Sequence, residues 1–525
     1  MKGIMIDCSR NAVMKPEAIK RFVDIMSALQ YDTLMLYTED TYEVDGEPLF
    51  GYMRGRYSKK EIMELDEYCQ KKEIELIPCI QTLAHLNTMF KWSSEYECIR
   101  DCDDILLADE ERTYTLIDNM FKTISKCFKS KKIHIGMDEA NMVGLGKYLE
   151  KHGYEKRFDI INKHLHKVCQ LADNYGLKPM IWSDMFCKLA MDSCDYYALD
   201  GNTDAIAKQA DLPENISLVY WDYYSGDYYR YVKMLNINKA FGKQVIFAGG
   251  AWTWKGFAPD NSLSMAATKP AIKACGDEQI ENVFLTAWGD DGGECSRFAA
   301  LPALTYAACL LNGTENEVKE KFTEVTNMKF DDFMLLDKLD KPSEKLAENP
   351  SKYLLYNDPF SGVHDYKIEK GVNLYYADLT QKLKSAKPSQ EYKAMFDFYI
   401  SLCDVLSVKS ELGIKTRAAY DAKDKKALLN LAQKDYSVTI EKIENCYNNY
   451  KILWFNENKP FGFEIQDIRF GGLIKRLENC KNRIVDYCNG ACESIPELDE
   501  RLLDNYNRGT TWARTVTAGV ISHIV

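Results

Sequence analysis

Roughly the first 310 residues alternate short apolar, β-branched runs with longer amphipathic and charged stretches, the pattern of repeated strand–helix units around a parallel sheet. Eight such runs stand out: GIMID from Gly3, TLMLY from Thr33, ELIPCI from Glu75, KIHIG from Lys132, KPMIWS from Lys178, SLVYW from Ser217, QVIFAG from Gln244 and NVFLTAW from Asn282. Their near-continuous apolar character implies strands buried on both faces, which eight strands achieve by closing into a (β/α)8 barrel. The rival architecture, an open doubly wound sheet, more often carries a glycine-rich phosphate loop after its first strand. Gly3 to Asn11 contains none. Pro16, Ser58 and Ser264 mark expected helix starts, and LPALTYAACLLN from Leu301 reads as the eighth helix.

At 525 residues the chain exceeds what one hydrophobic core usually supports. After Gly313 the sequence turns Lys/Glu-rich, with Pro342, Pro350 and Pro359 as punctuation. The expected division is a catalytic barrel over 1–311, a connecting segment over 312–374 and a helical domain over 375–525. Helical spacing of apolar residues in SQEYKAMFDFYISLCDVLSVKSEL and NLAQKDYSVTIEKIENCYNNYKILW carries the last expectation. A scaffold, a homodimer contact and a lid over the barrel mouth are all compatible with that domain.

A formal net charge of -12 sets a repulsive field against nucleic acid and anionic membranes, so neither is an expected partner. Seventeen cysteines, odd in number and without a CxxC pair, fit a reducing, cytoplasmic setting. The CxxxC pairs Cys98/Cys102 and Cys488/Cys492 lack an accompanying His cluster, so they read as packed thiols, and neither a metal nor a cofactor is expected. The polar N-terminus does not read as a secretory signal, and no stretch reaches the roughly 18 apolar residues of a membrane helix.

In a barrel of this kind, chemistry sits at the carboxyl ends of the strands. Those ends carry Asp7, Ser9 and Arg10; Tyr37, Glu39 and Asp40; Gln81 and His85; Asp138 and Glu139; Trp182 and Asp184; Trp221, Asp222, Tyr223 and Tyr224; Trp252 and Trp254; and Trp288 and Asp290. One Trp alone would read as rim packing. Five of the eight Trp residues at four successive strand ends, with polar groups between them, read as walls that grip the C–H face of a sugar. Asp138-Glu139 alone would read as an acidic turn. At a strand end the two carboxylates are expected to titrate together, one pKa rising to give an acid able to protonate a glycosidic oxygen.

His134-Ile135-Gly136-Met137-Asp138-Glu139 resembles the H-x-G-x-D-E signature of glycoside hydrolase family 20, the β-N-acetylhexosaminidases. DCSR with Arg10, LYTED with Asp40, His85 and Trp288-Gly289-Asp290 resemble further barrel segments of that family, over roughly residues 1 to 311. The resemblance implies an exo-acting, retaining hydrolase of small oligosaccharides or glycoconjugate-derived glycans, in which the substrate's own 2-acetamido oxygen attacks the anomeric carbon. It implies Glu139 as general acid/base and Asp138 as the carboxylate that orients the acetamido N–H. A Tyr, either Tyr223 or Tyr224 with alternation favouring Tyr223, would hold the acetamido oxygen. Trp182, Trp221, Trp252 or Trp254, and Trp288 would wall the pocket, while Arg10 and Asp290 would bind ring hydroxyls. Asp290 stands where the family usually has Glu, with Asp291 and Glu294 as competitors. His85 reads equally as a structural residue, and His134 as an orienting one.

Three other readings stay open. A protein carboxylate, Asp184, Asp222 or Asp290, would replace the acetamido as nucleophile; a metal would sit on His134, Asp138 and His85; or the barrel would bind sugar without cleaving it.

Overall fold

The computed structural model describes residues 1–189, 211–343 and 348–503. Residues 344–347 of the expected connecting segment and 504–525 of the expected helical domain lie outside the described residues. All eight apolar runs are strands: β1 (Lys2–Asp7), β2 (Thr33–Tyr37), β3 (Glu75–Cys79), β4 (Lys132–His134), β5 (Lys178–Trp182), β6 (Ser217–Trp221), β7 (Gln244–Gly250) and β8 (Val283–Ala287). They pair in parallel in sequence order, and β1 also pairs with β8, Ile4 opposite Leu285, closing the barrel. Alternation along each strand sorts the side chains. Met5, Met35, Ile77, Met180, Val219, Ile246 and Phe284 fill the barrel interior, whereas Ile4, Ile6, Leu34, Leu36 and Leu76 face the surrounding helices.

Those helices are α1 (Pro16–Ala28), α2 (Lys59–Lys71), α3 (Glu111–Cys127), α4 (Arg157–Asp173), α5 (Asp184–Leu189), α6 (Tyr228–Lys239), α7 (Asn261–Asp277) and α8 (Leu301–Asn312). Pro16 occupies the first position of α1, and Ser58 caps α2 in a reciprocal pair with Glu61. Helix α7 starts at Asn261, earlier than Ser264 had suggested. The Asp260 carboxylate caps it by accepting from the Leu263 N–H at 3.0 Å, and the Ser264 hydroxyl instead accepts from the Trp252 N–H at 2.9 Å.

The described residues of 312–374 include several short helices and pack into the protein. Short helices span Val318–Thr326 and α9 (Pro350–Tyr356), and Phe322, Phe333, Tyr353 and Leu355 are fully buried. Helices α10 (Val372–Ser385), α11 (Lys393–Lys409), α12 (Ser437–Glu457) and α13 (Glu464–Asn489) follow, with α11 packed against both α10 and α12. The helical part docks on the barrel through buried polar contacts. Glu294, after β8, pairs with Lys352 of α9 at 2.7 Å, and accepts from Gln466 at 2.7 Å and from Arg469, both on α13. The Tyr399 hydroxyl of α11 donates to the Phe257 carbonyl at 2.8 Å. Among the described residues, no helix is long and apolar enough to cross a membrane.

Candidate active site

A cavity of about 320 Å³ opens at the carboxyl ends of the strands, lined by Arg10, Tyr37, His85, Asp138, Glu139, Trp182, Trp221, Tyr223, Tyr224, Trp254, Trp288 and Asp290. The backbone around it is unusual. Glu39 (φ 39°), His85 (59°), Met137 (70°) and Glu139 (53°) all adopt left-handed conformations that non-glycine residues rarely take, a concentration of strain of the kind found at functional sites. Strand β4 stops at His134 because Gly136, at φ 72°, turns the chain. A Cβ there would lie 2.1 Å from Gln81 Oε1 and 2.8 Å from the Ile80 carbonyl oxygen, so only glycine fits.

The turn sends the two carboxylates apart. Asp138 is buried, while the Glu139 side chain keeps 49% of its surface exposed in the cavity. The Gln81 amide fixes the arrangement from below: its oxygen accepts from the Met137 N–H at 3.0 Å, and its nitrogen donates to Asp138 Oδ1 at 2.7 Å and to the Tyr37 hydroxyl at 2.9 Å. His85 Nε2 lies 3.2 Å from Asp138 Oδ2 and 3.8 Å from Glu139 Oε2. Burial alone would keep this imidazole neutral, but the Asp138 charge outweighs it and pushes the pKa up to about 10. Burial likewise opposes ionisation of Asp138, yet His85 and the Gln81 hydrogen bond hold its carboxyl below the ordinary aspartate value.

A raised carboxyl stands beside the pair, on Asp184. Burial first, then the charges of Asp138 and Glu139, lift it to about 6 against the opposing Lys188, 3.1 Å away. Asp184 Oδ2 accepts from the Glu139 N–H at 3.2 Å, so this group buttresses the turn from behind. His134 is neutral, its pKa lowered to about 3 by burial; its Nδ1 accepts from the Gly136 N–H at 3.1 Å and its ring lies 4.3 Å from that of Trp182.

On the opposite rim, Arg10 lies 3.5 Å from Glu39 and 3.9 Å from Asp7. Glu39 accepts from the Tyr37 hydroxyl at 3.0 Å, and burial raises its pKa to about 7 although Arg10 and His85 pull the other way. Asp290 is open to the mouth yet surrounded by protein, and its carboxyl is lifted to about 6, by desolvation first, with Arg10 opposing and Asp7 adding. The aromatic wall has two groups of rings. Trp182 lies 6.0 Å from Trp288, Trp288 stands edge-on to Tyr37 at 4.8 Å, and Trp221 stacks on Tyr223 at 5.2 Å. Gly250 makes room for it: a Cβ there would meet Trp254 at 2.9 Å and Tyr223 at 3.0 Å.

Two expected site residues stand elsewhere. Asp40 is buried, 3.3 Å from Arg54, and does not line the cavity; the strand-two carboxylate that reaches the Arg10 side is Glu39, because the left-handed turn at Glu39 points it inward. Trp252 stands behind Trp254, their rings 4.5 Å apart, so Trp254 faces the cavity. Of the Asp290 competitors, Glu294 is committed to Lys352 and Arg469, and Asp291 lies 3.7 Å from Lys352. Among the described residues there is no group of three or more His, Cys, Asp or Glu side chains arranged to hold a metal.

Two family descriptions match the chain: the catalytic domain of glycosyl hydrolase family 20 over residues 1–236, and the glycoside hydrolase 20C C-terminal domain over 331–517. The chain belongs to glycoside hydrolase family 20. Its similarity to curated proteins is modest. Beta-hexosaminidase 3 of Arabidopsis thaliana is 23% identical over 202 residues, 35% of this chain and 37% of the plant protein. Hexosaminidase D of Homo sapiens is 22% identical over 223 residues, 41% of this chain and 43% of the human protein. The chain thus spans little more than a third of the length of the first of these relatives. The exo-β-N-acetylglucosaminidase of Vibrio harveyi, solved with N-acetylglucosamine, aligns at 15% identity over 62% of this chain and 57% of that one, with a TM-score of 0.46.

Set on this family 20 barrel, the signature residues acquire physical reasons. His134 and Gly136 shape the turn, and Asp138 and Glu139 face two different environments because of it. Tyr224, the second of the two Tyr candidates, lines the cavity with Tyr223, and Tyr37, Glu39 and Gln81 belong to the cavity or its supporting network although the sequence assigns them no role. Tyr37 and Glu39 lie in LYTED, whereas for Gln81 the position after a strand is the only signal.

Proposed function

We propose that the chain is an exo-acting, retaining β-N-acetylhexosaminidase that releases terminal β-linked N-acetylglucosamine, N-acetylgalactosamine or both by substrate-assisted catalysis. The observation that carries this reading is the division of environments between adjacent carboxylates: Asp138 is buried and held ionised by His85 at 3.2 Å and Gln81 at 2.7 Å, while Glu139 is half exposed in the cavity. A fixed, ionised carboxylate suits a group that orients the acetamido N–H and stabilises positive charge growing there as the acetamido oxygen attacks the anomeric carbon. An accessible Glu suits proton delivery to the departing glycosidic oxygen. The same carboxylate then takes a proton from the water that opens the oxazolinium and returns the retained sugar.

In this reading Tyr223 holds the acetamido oxygen, Trp182, Trp221, Trp254 and Trp288 wall the ring, and Arg10 and Asp290 bind its hydroxyls. His85 acts through Asp138. A protein nucleophile has less support, because Asp184 and Asp222 are buried outside the cavity lining and committed to Lys188 and Arg230 at 3.1 and 3.0 Å. We further take 1–311 as the catalytic barrel and the helical remainder as its support. The sixteen free cysteines among the described residues favour a reducing, cytoplasmic setting, and the exposed Ile452 and Ile468 on α12 and α13 are where a homodimer contact would lie.

The test is a panel of aryl glycosides. Aryl N-acetyl-β-glucosaminides or galactosaminides are cleaved and the matching glucosides are not; equal rates on both would remove the acetamido from the mechanism. Glu139→Gln lowers kcat on unactivated substrates by about 10²–10⁴ while substrate still binds. An unchanged rate would assign the proton transfer to a different acid.

A further inference from the structure

A second cavity, of about 420 Å³, lies beside the first. The two share the loops after β1 and β3: Arg10 and His85 face the catalytic cavity, whereas Asn11 and Asn87 line its neighbour, which Gly462–Ile465 of the helical part closes from the other side. Three cations line it, Arg54 from the loop after β2 and Lys91 and Arg100 from the loop after β3, against one acidic side chain, Glu464. On a chain of net charge -12 such a cluster runs against the overall field.

The three cations are not equally occupied. Arg54 is held by Asp40 at 3.3 Å and by the Ser9 and Arg10 carbonyls, and Arg100 lies 3.6 Å from Glu97. Lys91 forms no ion pair with any carboxylate among the described residues; its ammonium stands 5.6 Å from the centre of the Trp92 ring. Burial, and then the neighbouring Arg54, hold its pKa below the ordinary lysine value, with Asp40 and Glu464 opposing. An exposed ammonium at the cavity edge, beside another cation and without a carboxylate partner of its own, is open to an anion.

The surroundings indicate what carries that anion. Trp92 packs on Tyr52, ring centres 5.4 Å apart, and Tyr52 keeps 40% of its surface exposed. Arg100 sits 5.6 Å from the Phe90 ring. Met53, at the lip, is held in a left-handed conformation at φ 61° and is 62% exposed. Trp92 and Tyr52 stand outside the lining and Phe90 is buried, so the rings brace the cations rather than offer a stacking face; the three cations supply the charge recognition, and the adjoining catalytic cavity brings the sugar that bears the negative group.

We propose that this second cavity binds an acidic sugar unit, bearing a carboxylate or sulfate, of the same glycan whose terminal hexosamine enters the first cavity. The proposal rests on the hexosaminidase reading, which is what brings a glycan to this mouth. It selects acidic oligosaccharides over neutral ones as preferred substrates.

The experiment compares an oligosaccharide carrying terminal β-N-acetylglucosamine on glucuronate with neutral di-N-acetylchitobiose, for the full chain and for Lys91→Glu, Lys91→Ala and Lys91→Arg. Lys91→Glu lowers kcat/KM on the acidic substrate about tenfold or more through KM, the effect of one lost charge-assisted contact. It leaves the neutral substrate within about twofold, Lys91→Arg restores the preference, and raised salt erodes it. Equal losses on both substrates, or none on either, would overturn the proposal. Calorimetric titration with a glucuronate-containing disaccharide separates the two readings: binding that Lys91→Glu abolishes, in a protein that cleaves no hexosaminide, upholds the acidic subsite and defeats the hexosaminidase assignment. Inorganic sulfate that binds as tightly as the saccharide would identify a site for a free anion and would also overturn the proposal.

Discussion

Replacing His85 with Gln should move the acid limb of the activity profile. The imidazole lies 3.2 Å from Asp138 Oδ2, and at an effective dielectric constant of ~20 two unit charges at that distance interact by about 5 kcal/mol. The rise of the His85 pKa from 6.5 to about 10 corresponds to a similar energy, about 5 kcal/mol. The His85 side chain is 18% exposed to the mouth and Arg10 stands nearby, so screening reduces the loss on removing the cation to about 2–3 kcal/mol. Asp138 then has burial against ionisation and only the Gln81 and backbone hydrogen bonds in its favour, so its pKa should rise. The wild-type protein should keep kcat/KM for an aryl N-acetyl-β-glucosaminide well into the acid range, while His85→Gln loses it at a higher pH. Stability supplies an independent sign check. A His whose folded pKa is raised contributes stability that is complete below its unfolded value, near 6.5, and that disappears as pH rises through about 10. Melting curves of the two proteins should therefore differ at pH 6 and converge above about pH 10. An acid limb that stays in place in a folded His85→Gln protein would refute the claim that His85 keeps Asp138 ionised.

Gly136→Ala should be severe, because the new Cβ meets Gln81 Oε1 and the φ of 72° is left-handed; a loss of about 1–3 kcal/mol on denaturant unfolding, together with loss of activity, is expected. Wild-type stability with full activity would mean that the turn relaxes. Lys352→Met leaves the buried Glu294 with Arg469 and the Gln466 amide only and should cost about 3–5 kcal/mol by thermal or denaturant melting, part of which Glu294→Gln in the same chain recovers. An additive double variant would argue against a shared buried network. Asp290→Asn removes a carboxylate that faces the mouth beside Arg10, and should raise KM for the hexosaminide several-fold more than it lowers kcat; a pure kcat defect would place Asp290 in the chemistry rather than in binding.

The barrel was legible because its signal is collective. Eight apolar runs at barrel spacing leave few ways to bury strands on both faces, and each coincides with a strand. Boundaries were legible where a local device sets them, as with Pro16 and the Ser58–Glu61 pair, and misleading where two caps compete. Asp260 prevails over Ser264 because an ionised carboxylate caps more strongly and because the Ser264 hydroxyl is committed to the Trp252 N–H. The segment over 312–374 read as a connector because prolines interrupt it, yet Pro350 opens a helix whose Lys352 reaches a buried carboxylate of the barrel. Composition along a chain does not register a partner that lies some sixty residues away.

The site divides along the same line. Asp138, Glu139 and the Trp residues could be placed from strand position, but strict alternation of side chains fails where the backbone turns left-handed. At Glu39 that turn exchanges the expected Asp40 for Glu39 on the Arg10 side, and at Met137 and Glu139 it separates two adjacent carboxylates that a regular strand end would have left in one environment. The electrostatics follow the same turn. It gives Asp138 to His85 and Gln81, which hold its carboxyl below the ordinary value, and places the raised Asp184 behind it. Strain that would be costly in an ordinary loop is what makes the two carboxylates chemically unlike. Relieving it would cost the site its division of labour before it cost the protein its fold.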